Sequence, residues 1–209
     1  MITVQEAREF YQGAESAHDF DHVLRVVALA ERLAEAEKAD QEVVRTAALL
    51  HDIARADEDQ MPGSDHAQMA AERARAILLQ RGVLPERADA VAHAIAAHRF
   101  RGAVAPQTLE AKILFDADKL DSIGAIGVAR AFAVSGALSQ RLWTDVASDA
   151  TATRDQRNSE HSAVAEFIVK LSKVRDRVYT PSARRIADDR HFYMASFFTR
   201  LGQEIRGEL

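Results

Sequence analysis

The sequence predicts an all-α protein, folded as a helical bundle. Hydrophobic residues make up 47% of the 209 residues but aromatic residues only 6%, a balance typical of helices that pack through Ala, Leu and Val. Apolar residues recur at three- and four-residue steps along most of the chain, which is the period of an α-helix. We find no alternating strand pattern of useful length. A chain of this length can bury one medium-sized core, so we expect one domain over residues 1–209.

Seven helices are predicted in the first two thirds of the chain. Each prediction rests on an apolar stripe, on a residue typical of a helix start, or on a residue typical of a helix end. Gly82, for example, precedes the segment VLPE, which favours a helix end followed by a new start near Pro85. The predicted bounds are about 4–12, 20–38, 41–54, 65–81, 85–98, 107–115 and 119–132.

The last third of the chain divides into a loop and two packing helices. Residues 140–159 are rich in Ser, Thr, Asp and Ala and lack an apolar period, which predicts a flexible loop, a lid or a simple connection. Residues 160–209 are predicted to form packing helices, the longer of which begins at Pro181. This last helix carries an aromatic and aliphatic band of Phe192, Tyr193, Phe197, Phe198 and Leu201. Such a band is typical of core packing or of a homodimer contact.

Polar residues interrupt three of these apolar helical stripes. His51 and Asp52 end the run VVRTAALLHD, and His22 shares a stripe with Val26 and Leu29, so an imidazole is predicted on the inward face of its helix. The segment DADKLD, which contains Asp118, places three carboxylates within a turn and a half. Carboxylates that close repel one another unless some are exposed or a cation lies between them.

By the order and chemistry of these histidines and aspartates, the chain resembles the HD-domain metal-dependent phosphohydrolase superfamily, whose pattern is H…HD…D. The pattern is read here as HVLRV, LLHDIA and DADKLD, and HDFDHVLRV, DADKLDSIGAIGVAR and TPSARRIADDRHFYMASFF look like a bacterial single-domain branch. The resemblance implies a metal-binding core over about residues 15–135, with the metal site between the helices. The metal ligands that it implies are His22, His51, Asp52 and Asp118.

The resemblance also implies a reaction, in which water activated by a divalent ion attacks a phosphoester or phosphoanhydride of a small nucleotide. The enzyme would then be a nucleotidase or a pyrophosphohydrolase, with Asp52 as a catalytic residue that orients the water. Phosphoryl transfer also needs positive charge near the phosphate oxygens. Lys119 lies one residue after the predicted ligand Asp118, and Arg25 lies three residues after the predicted ligand His22. Both are predicted to supply this positive charge as catalytic residues. Lys119 is also predicted to bind substrate.

Further residues extend the predicted site. In binuclear members of the superfamily, two intervening histidines complete a second metal site, and His66 and His98 match them in order. In mononuclear members these positions face the substrate, so we predict substrate binding by His66 and His98, and leave a second metal open. Asp121 is predicted to bind substrate or to support a ligand. His18 and Asp19 are candidates to orient the ligand imidazole of His22.

Two other classes of function stay open. A pair of irons held with the help of His66 and His98 would suit an HD-type oxygenase that activates oxygen. A nucleotide-binding regulatory protein without turnover is the other alternative. Unused carboxylates packed close together are costly without a cation, which favours the hydrolase.

Composition limits the ion, the partners and the compartment. The chain has no cysteine, so thiolate ligands are excluded, while mixed imidazoles and carboxylates do not distinguish manganese, iron, nickel, cobalt, zinc and magnesium. A net charge of -5 disfavours a nucleic-acid polymer as partner. No apolar run reaches the roughly 20 residues that span a bilayer, and the first residues do not resemble a signal peptide. We therefore expect a cytoplasmic protein that does not bind membranes.

Overall fold

The computed structural model of the chain describes residues 2–11, 20–60, 65–99, 102, 104–145 and 161–209. The α-helices within these ranges are Val4–Glu9 (α1), Phe20–Glu37 (α2), Gln41–Leu50 (α3), Arg55–Gln60 (α4), His66–Gln80 (α5), Pro85–Ala96 (α6), Leu109–Leu120 (α7), Gly124–Ala137 (α8), Ala163–Val169 (α9) and Pro181–Ile205 (α10). Short 3-10 turns at Leu171–Lys173 and Arg175–Arg177 lie between α9 and α10. No strand occurs in the described ranges, and the predicted all-α class is confirmed.

The helices form two compact units. The first contains Met1–Asp118 and Tyr179–Ala183, and the second contains Lys119–Val178 and Arg184–Leu209. The single domain expected over residues 1–209 stays a prediction. Of the predicted loop over residues 140–159, the part after residue 145 lies outside the described residues.

In the first unit, α2 packs on α3, α3 packs on α6, and α6 packs on α5. Burial of one large aliphatic side chain contributes about 1.5–3 kcal/mol to folding, so the apolar stripes read from the sequence hold these helices together. The largest apolar side chains that are fully buried in this unit are Val23, Leu33, Leu49, Leu50, Leu78, Ile95, Ile113 and Leu114.

Capping residues explain where several helices begin. The carboxylate of Asp40 accepts hydrogen bonds from the backbone N–H groups of Glu42 and Val43 at the start of α3, and Asp65 caps α5 in the same way. Such caps satisfy N–H groups that have no partner within the helix. Gly82 follows α5 with a φ of +75°, which confirms the helix stop predicted there, because glycine adopts this conformation without strain.

The boundary between α7 and α8 differs from the sequence prediction. The pattern predicted a break between residues 115 and 119, but α7 continues to Leu120 and α8 begins at Gly124. Gly124 has a φ of +78°, and a Cβ added there would lie 2.9 Å from Cγ of Arg190. Both its conformation and the limited space require glycine at this position.

In the second unit, the aromatic band of α10 divides between core and surface. Phe198 is buried and stacks on Phe167 of α9, with 4.7 Å between the ring centroids. Phe192 and Tyr193 are 74% and 50% exposed. Part of the band is therefore core, and homodimer contact by the exposed part stays a prediction.

Among the described residues, no single helix is long and apolar enough to cross a membrane. The helices α7 and α8, taken together as a broken pair, pass the same test by length and composition only.

Candidate metal centre

His51 and Asp52 follow α3 directly, where the helix gives way to a turn over residues 51–54. The backbone of His51 is still in the helical region, with φ -62° and ψ -32°. Nδ1 of His51 lies 2.8 Å from the carbonyl oxygen of Ala48, the oxygen that would accept from the N–H of Asp52 if the helix continued. This contact explains why the helix predicted over residues 41–54 ends at Leu50.

His22 lies on the buried face of α2, as its stripe with Val26 and Leu29 predicts. Its Nε2 atom is 3.4 Å from Nε2 of His51 and 3.5 Å from Oδ1 of Asp118. It is also 3.9 Å from Oδ2 of Asp52. The structure therefore brings together all four of the ligands predicted from the sequence.

Asp118 lies inside α7 rather than after a break, and its side chain is 15% exposed. The neighbouring Asp116 is fully buried and accepts hydrogen bonds from the backbone N–H groups of Tyr179 and Thr180, at 2.7 and 2.8 Å, and from the Thr180 hydroxyl at 2.7 Å. The two carboxylates thus have separate partners, so α7 can carry both without a break.

His66 and His98 lie on the other side of the same Asp52 carboxylate. Their Nε2 atoms are 3.6 and 3.5 Å from Oδ1 of Asp52, and both side chains are buried. Nδ1 of His98 lies 2.6 Å from the carbonyl oxygen of Ile95. Nδ1 of His66 instead lies 3.1 Å from Nη1 of Arg55.

These residues fit a divalent metal ion. Zinc lies about 2.0–2.2 Å from nitrogen and oxygen ligands, so ligand atoms around such an ion are separated by roughly 3.0–3.5 Å. The contacts of 3.4–3.9 Å among His22, His51, Asp52 and Asp118 are close to this range. Two groups of three could each hold an ion, the first formed by His22, His51 and Asp118, and the second by Asp52, His66 and His98.

The protonation states also suit a cation. Burial lowers the pKa of His51 to about 4, so this imidazole is neutral at pH 7. Burial opposes ionisation of Asp52, but His51 and His98 outweigh it and hold the pKa of Asp52 well below its ordinary value. A neutral imidazole beside an ionised carboxylate is the state in which both bind metal.

The remaining predicted site residues have different surroundings. Arg25 is half-buried on α2, and Lys119 is half-buried in the last turn of α7. Asp121 belongs to the second unit, where it is buried and accepts a hydrogen bond of 3.1 Å from Nη1 of Arg130. His18 and Asp19 lie outside the described residues.

Two residues near the centre were missed by the sequence reasoning, namely Arg55 and Tyr11. Arg55 follows Asp52 by three residues, about one helical turn, and this spacing was a usable signal. The Tyr11 hydroxyl contacts the backbone of Leu49 and Asp52 across about forty residues of sequence, and no local pattern marks it. Burial, with the charge of Asp52, raises the pKa of Tyr11 well above its ordinary value, so the hydroxyl keeps its proton.

The sequence pattern of the HD domain family matches residues 19–123. The chain belongs to the HD domain family. In sequence, this HD-domain chain is 38% identical over 196 residues to the uncharacterized protein YpgQ of Bacillus subtilis (strain 168), a match that covers 92% of this chain and 86% of YpgQ.

Several solved structures are similar to this chain over nearly its whole length. The crystal structure of Bacillus subtilis YpgQ in complex with ADP matches with a TM-score of 0.75 and 33% identity, covering 98% of this chain and 99% of that one. An HD-superfamily hydrolase from Bacillus thuringiensis matches with a TM-score of 0.73 and 28% identity, over 97% and 94% of the two chains. The HD fold therefore supports, in general terms, a metal-dependent phosphohydrolase.

Proposed function

We propose that this HD-domain chain is a divalent-metal-dependent phosphohydrolase that cleaves a phosphoester or phosphoanhydride bond of a small nucleotide. The observation that carries the proposal is the largely buried cluster of two imidazoles and two carboxylates, drawn from α2, the end of α3 and α7. This donor set suits a divalent cation. The proposed ligands are His22, His51, Asp52 and Asp118.

A divalent ion held by these residues would lower the pKa of a bound water and draw charge from a phosphate oxygen. Asp52 is suited to orient that water, because its two oxygens face different groups. Oδ2 lies 3.6 Å from Nε2 of His51, among the proposed ligands. Oδ1 faces His66 and His98. Since Asp52 is ionised at neutral pH, one oxygen can ligate while the other accepts a hydrogen bond.

Arg55 supports a role for His66 as a hydrogen-bond donor to substrate. A guanidinium can only donate, so Nδ1 of His66 accepts from Arg55, and the proton of the neutral ring is then on Nε2. Nε2 of His66 can donate to a phosphate oxygen but has no free lone pair for a metal. His98 differs, because its Nδ1 faces the carbonyl oxygen of Ile95 and its Nε2 faces Asp52. We therefore expect one ion per chain.

Arg25 and Lys119 are the proposed cations for the phosphate. Arg25 lies three residues after His22 on α2, and residues at this spacing share a helix face. Lys119 follows Asp118 directly. That Asp121 binds substrate or supports a ligand stays a prediction, and its carboxylate pairs with Arg130.

The choice of a nucleotide rests on the relatives and on charge. YpgQ was crystallised with ADP, which contains a phosphoanhydride as well as a phosphoester. A net charge of -5 repels long polyanions but does not prevent a small phosphate from entering a local metal site. We therefore favour a small nucleotide over a nucleic-acid polymer.

The test is hydrolysis of a panel of nucleoside mono-, di- and triphosphates with Mn²⁺, measuring phosphate and pyrophosphate release separately. Activity should be lost in Asp52→Ala and Asp118→Ala and kept in Asp89→Ala, whose carboxylate pairs with Arg75 at the surface. Full activity in both of the first two variants would contradict the proposal. Two irons per chain, an oxygen requirement and no phosphate release would instead support the oxygenase alternative.

A further inference from the structure

The side chain of Tyr11 connects the end of α1 with the end of α3. Its hydroxyl donates a hydrogen bond to the carbonyl oxygen of Leu49 at 3.0 Å and accepts one from the backbone N–H of Asp52 at 3.3 Å. The ring packs edge-on against Phe20, with 5.4 Å between the centroids. One hydroxyl therefore contacts the backbone on both sides of the His51 and Asp52 pair.

This contact occurs where α3 has lost its regular hydrogen bonds. The carbonyl oxygen of Ala48 is engaged by Nδ1 of His51. Within the described ranges, the N–H of Asp52 donates to no backbone carbonyl. A buried N–H without a partner is costly, and the Tyr11 hydroxyl supplies that partner.

We propose that Tyr11 is a positioning residue that holds the turn after α3 in the geometry that directs both His51 and Asp52 into one metal site. The inference rests on the proposed function. Without the hydroxyl, the N–H of Asp52 is left without this partner unless the turn rearranges, because the carbonyl oxygen of Ala48 is engaged by Nδ1 of His51. A rearranged turn moves the carboxylate of Asp52 relative to the imidazole of His51.

The test compares Tyr11→Phe with Tyr193→Phe, a matched loss of a hydroxyl from a tyrosine that is half-exposed on α10. Binding of Mn²⁺ is measured by calorimetry, and the visible absorption of bound Co²⁺ reports the ligand geometry. Residues that orient metal ligands typically change affinity by about 10–100-fold, so Tyr11→Phe should weaken Mn²⁺ binding by at least about tenfold and alter the Co²⁺ spectrum. Tyr193→Phe should change neither.

Equal affinity and an unchanged Co²⁺ spectrum in folded Tyr11→Phe would overturn the inference alone. Wild-type protein that binds no Mn²⁺ would contradict the proposed function and this inference together.

Amide hydrogen exchange tests the contact even if Tyr11→Phe does not fold. In the metal-free wild-type protein, the amide of Asp52 should be protected although it lies beyond the helix. Exchange as fast as in an unstructured chain would overturn the inference. In a folded Tyr11→Phe variant, protection should fall at Asp52 and persist at Leu49 and Leu50, which lie inside α3.

Discussion

The guanidinium of Arg55 lies 3.1 Å from Nδ1 of His66, while Nε2 of the same ring points to Asp52 at 3.6 Å. One arginine thus determines which nitrogen of His66 carries the proton. This relationship distinguishes His66 from His51 and His98, whose Nδ1 atoms face backbone carbonyl oxygens.

Replacing Arg55 with Met should allow the proton of His66 to move to Nδ1. We expect kcat/KM for the best nucleotide to fall about tenfold, which corresponds to the loss of about 1.4 kcal/mol of transition-state stabilisation. The freed Nε2 lone pair of His66 would also complete the second group of possible ligands, Asp52, His66 and His98. The Mn²⁺ content at saturation should therefore rise above one per chain.

The control for this variant is Arg75→Met, which removes an exposed arginine paired with Asp89. It should leave both kcat/KM and metal content unchanged. If Arg55→Met also leaves both unchanged, Arg55 does not set the state of His66.

The metal-free protein should lose stability as the pH falls below about 6.5. Burial lowers the pKa of His51 from 6.5 to about 4, so between these values the unfolded chain binds a proton that the native chain does not. The contribution of His51 to the free energy of unfolding is therefore complete above about pH 6.5. It decreases toward pH 4, by up to about 3 kcal/mol. The depressed pKa of Asp52 acts in the same direction at lower pH, below 3.8.

Urea unfolding at pH 7 and pH 5 measures this effect. The wild type should lose about 2 kcal/mol more than His51→Gln between these two values, because the variant has no imidazole to titrate. Identical pH dependence in the wild type and His51→Gln would contradict the assignment.

Asp116 and Asp118 should have separable roles although they lie two residues apart on α7. Asp116→Ala removes a fully buried acceptor of three hydrogen bonds from Tyr179 and Thr180, and we expect the free energy of unfolding to fall by about 3 kcal/mol. Its Mn²⁺ affinity should stay near that of the wild type. Asp118→Ala should show the reverse, with little loss of metal-free stability and a large loss of affinity.

Urea denaturation of the metal-free proteins and Mn²⁺ calorimetry of the folded ones check this pair. A stable Asp116→Ala protein, or one that has lost its metal affinity selectively, would show that the partners of the two carboxylates were misassigned.

Local patterns were enough to predict much of the centre. The apolar stripe of α2 placed His22 inward, and the doublet after an apolar run marked His51 and Asp52, because helical periodicity is a local property of sequence. The position of Asp118 within α7 was not predicted. The predicted helices, about 107–115 and 119–132, left it in a break.

The reason for that difference lies in distant partners. Asp116 takes its hydrogen bonds from residues more than 60 positions away, and Asp121 takes its partner from α8. Each carboxylate is satisfied separately, and no local pattern contains that information. The contact of Tyr11 with Asp52 was unpredictable for the same reason.

We propose that His22, His51, Asp52 and Asp118 together hold one divalent ion. The most direct test is elemental analysis of metal per chain, on protein purified without chelator and then equilibrated with Mn²⁺. The wild type should contain one ion per chain, and folded Asp118→Ala should contain close to none. A wild type without metal, or an Asp118→Ala protein that keeps as much metal as the wild type, would contradict the claim.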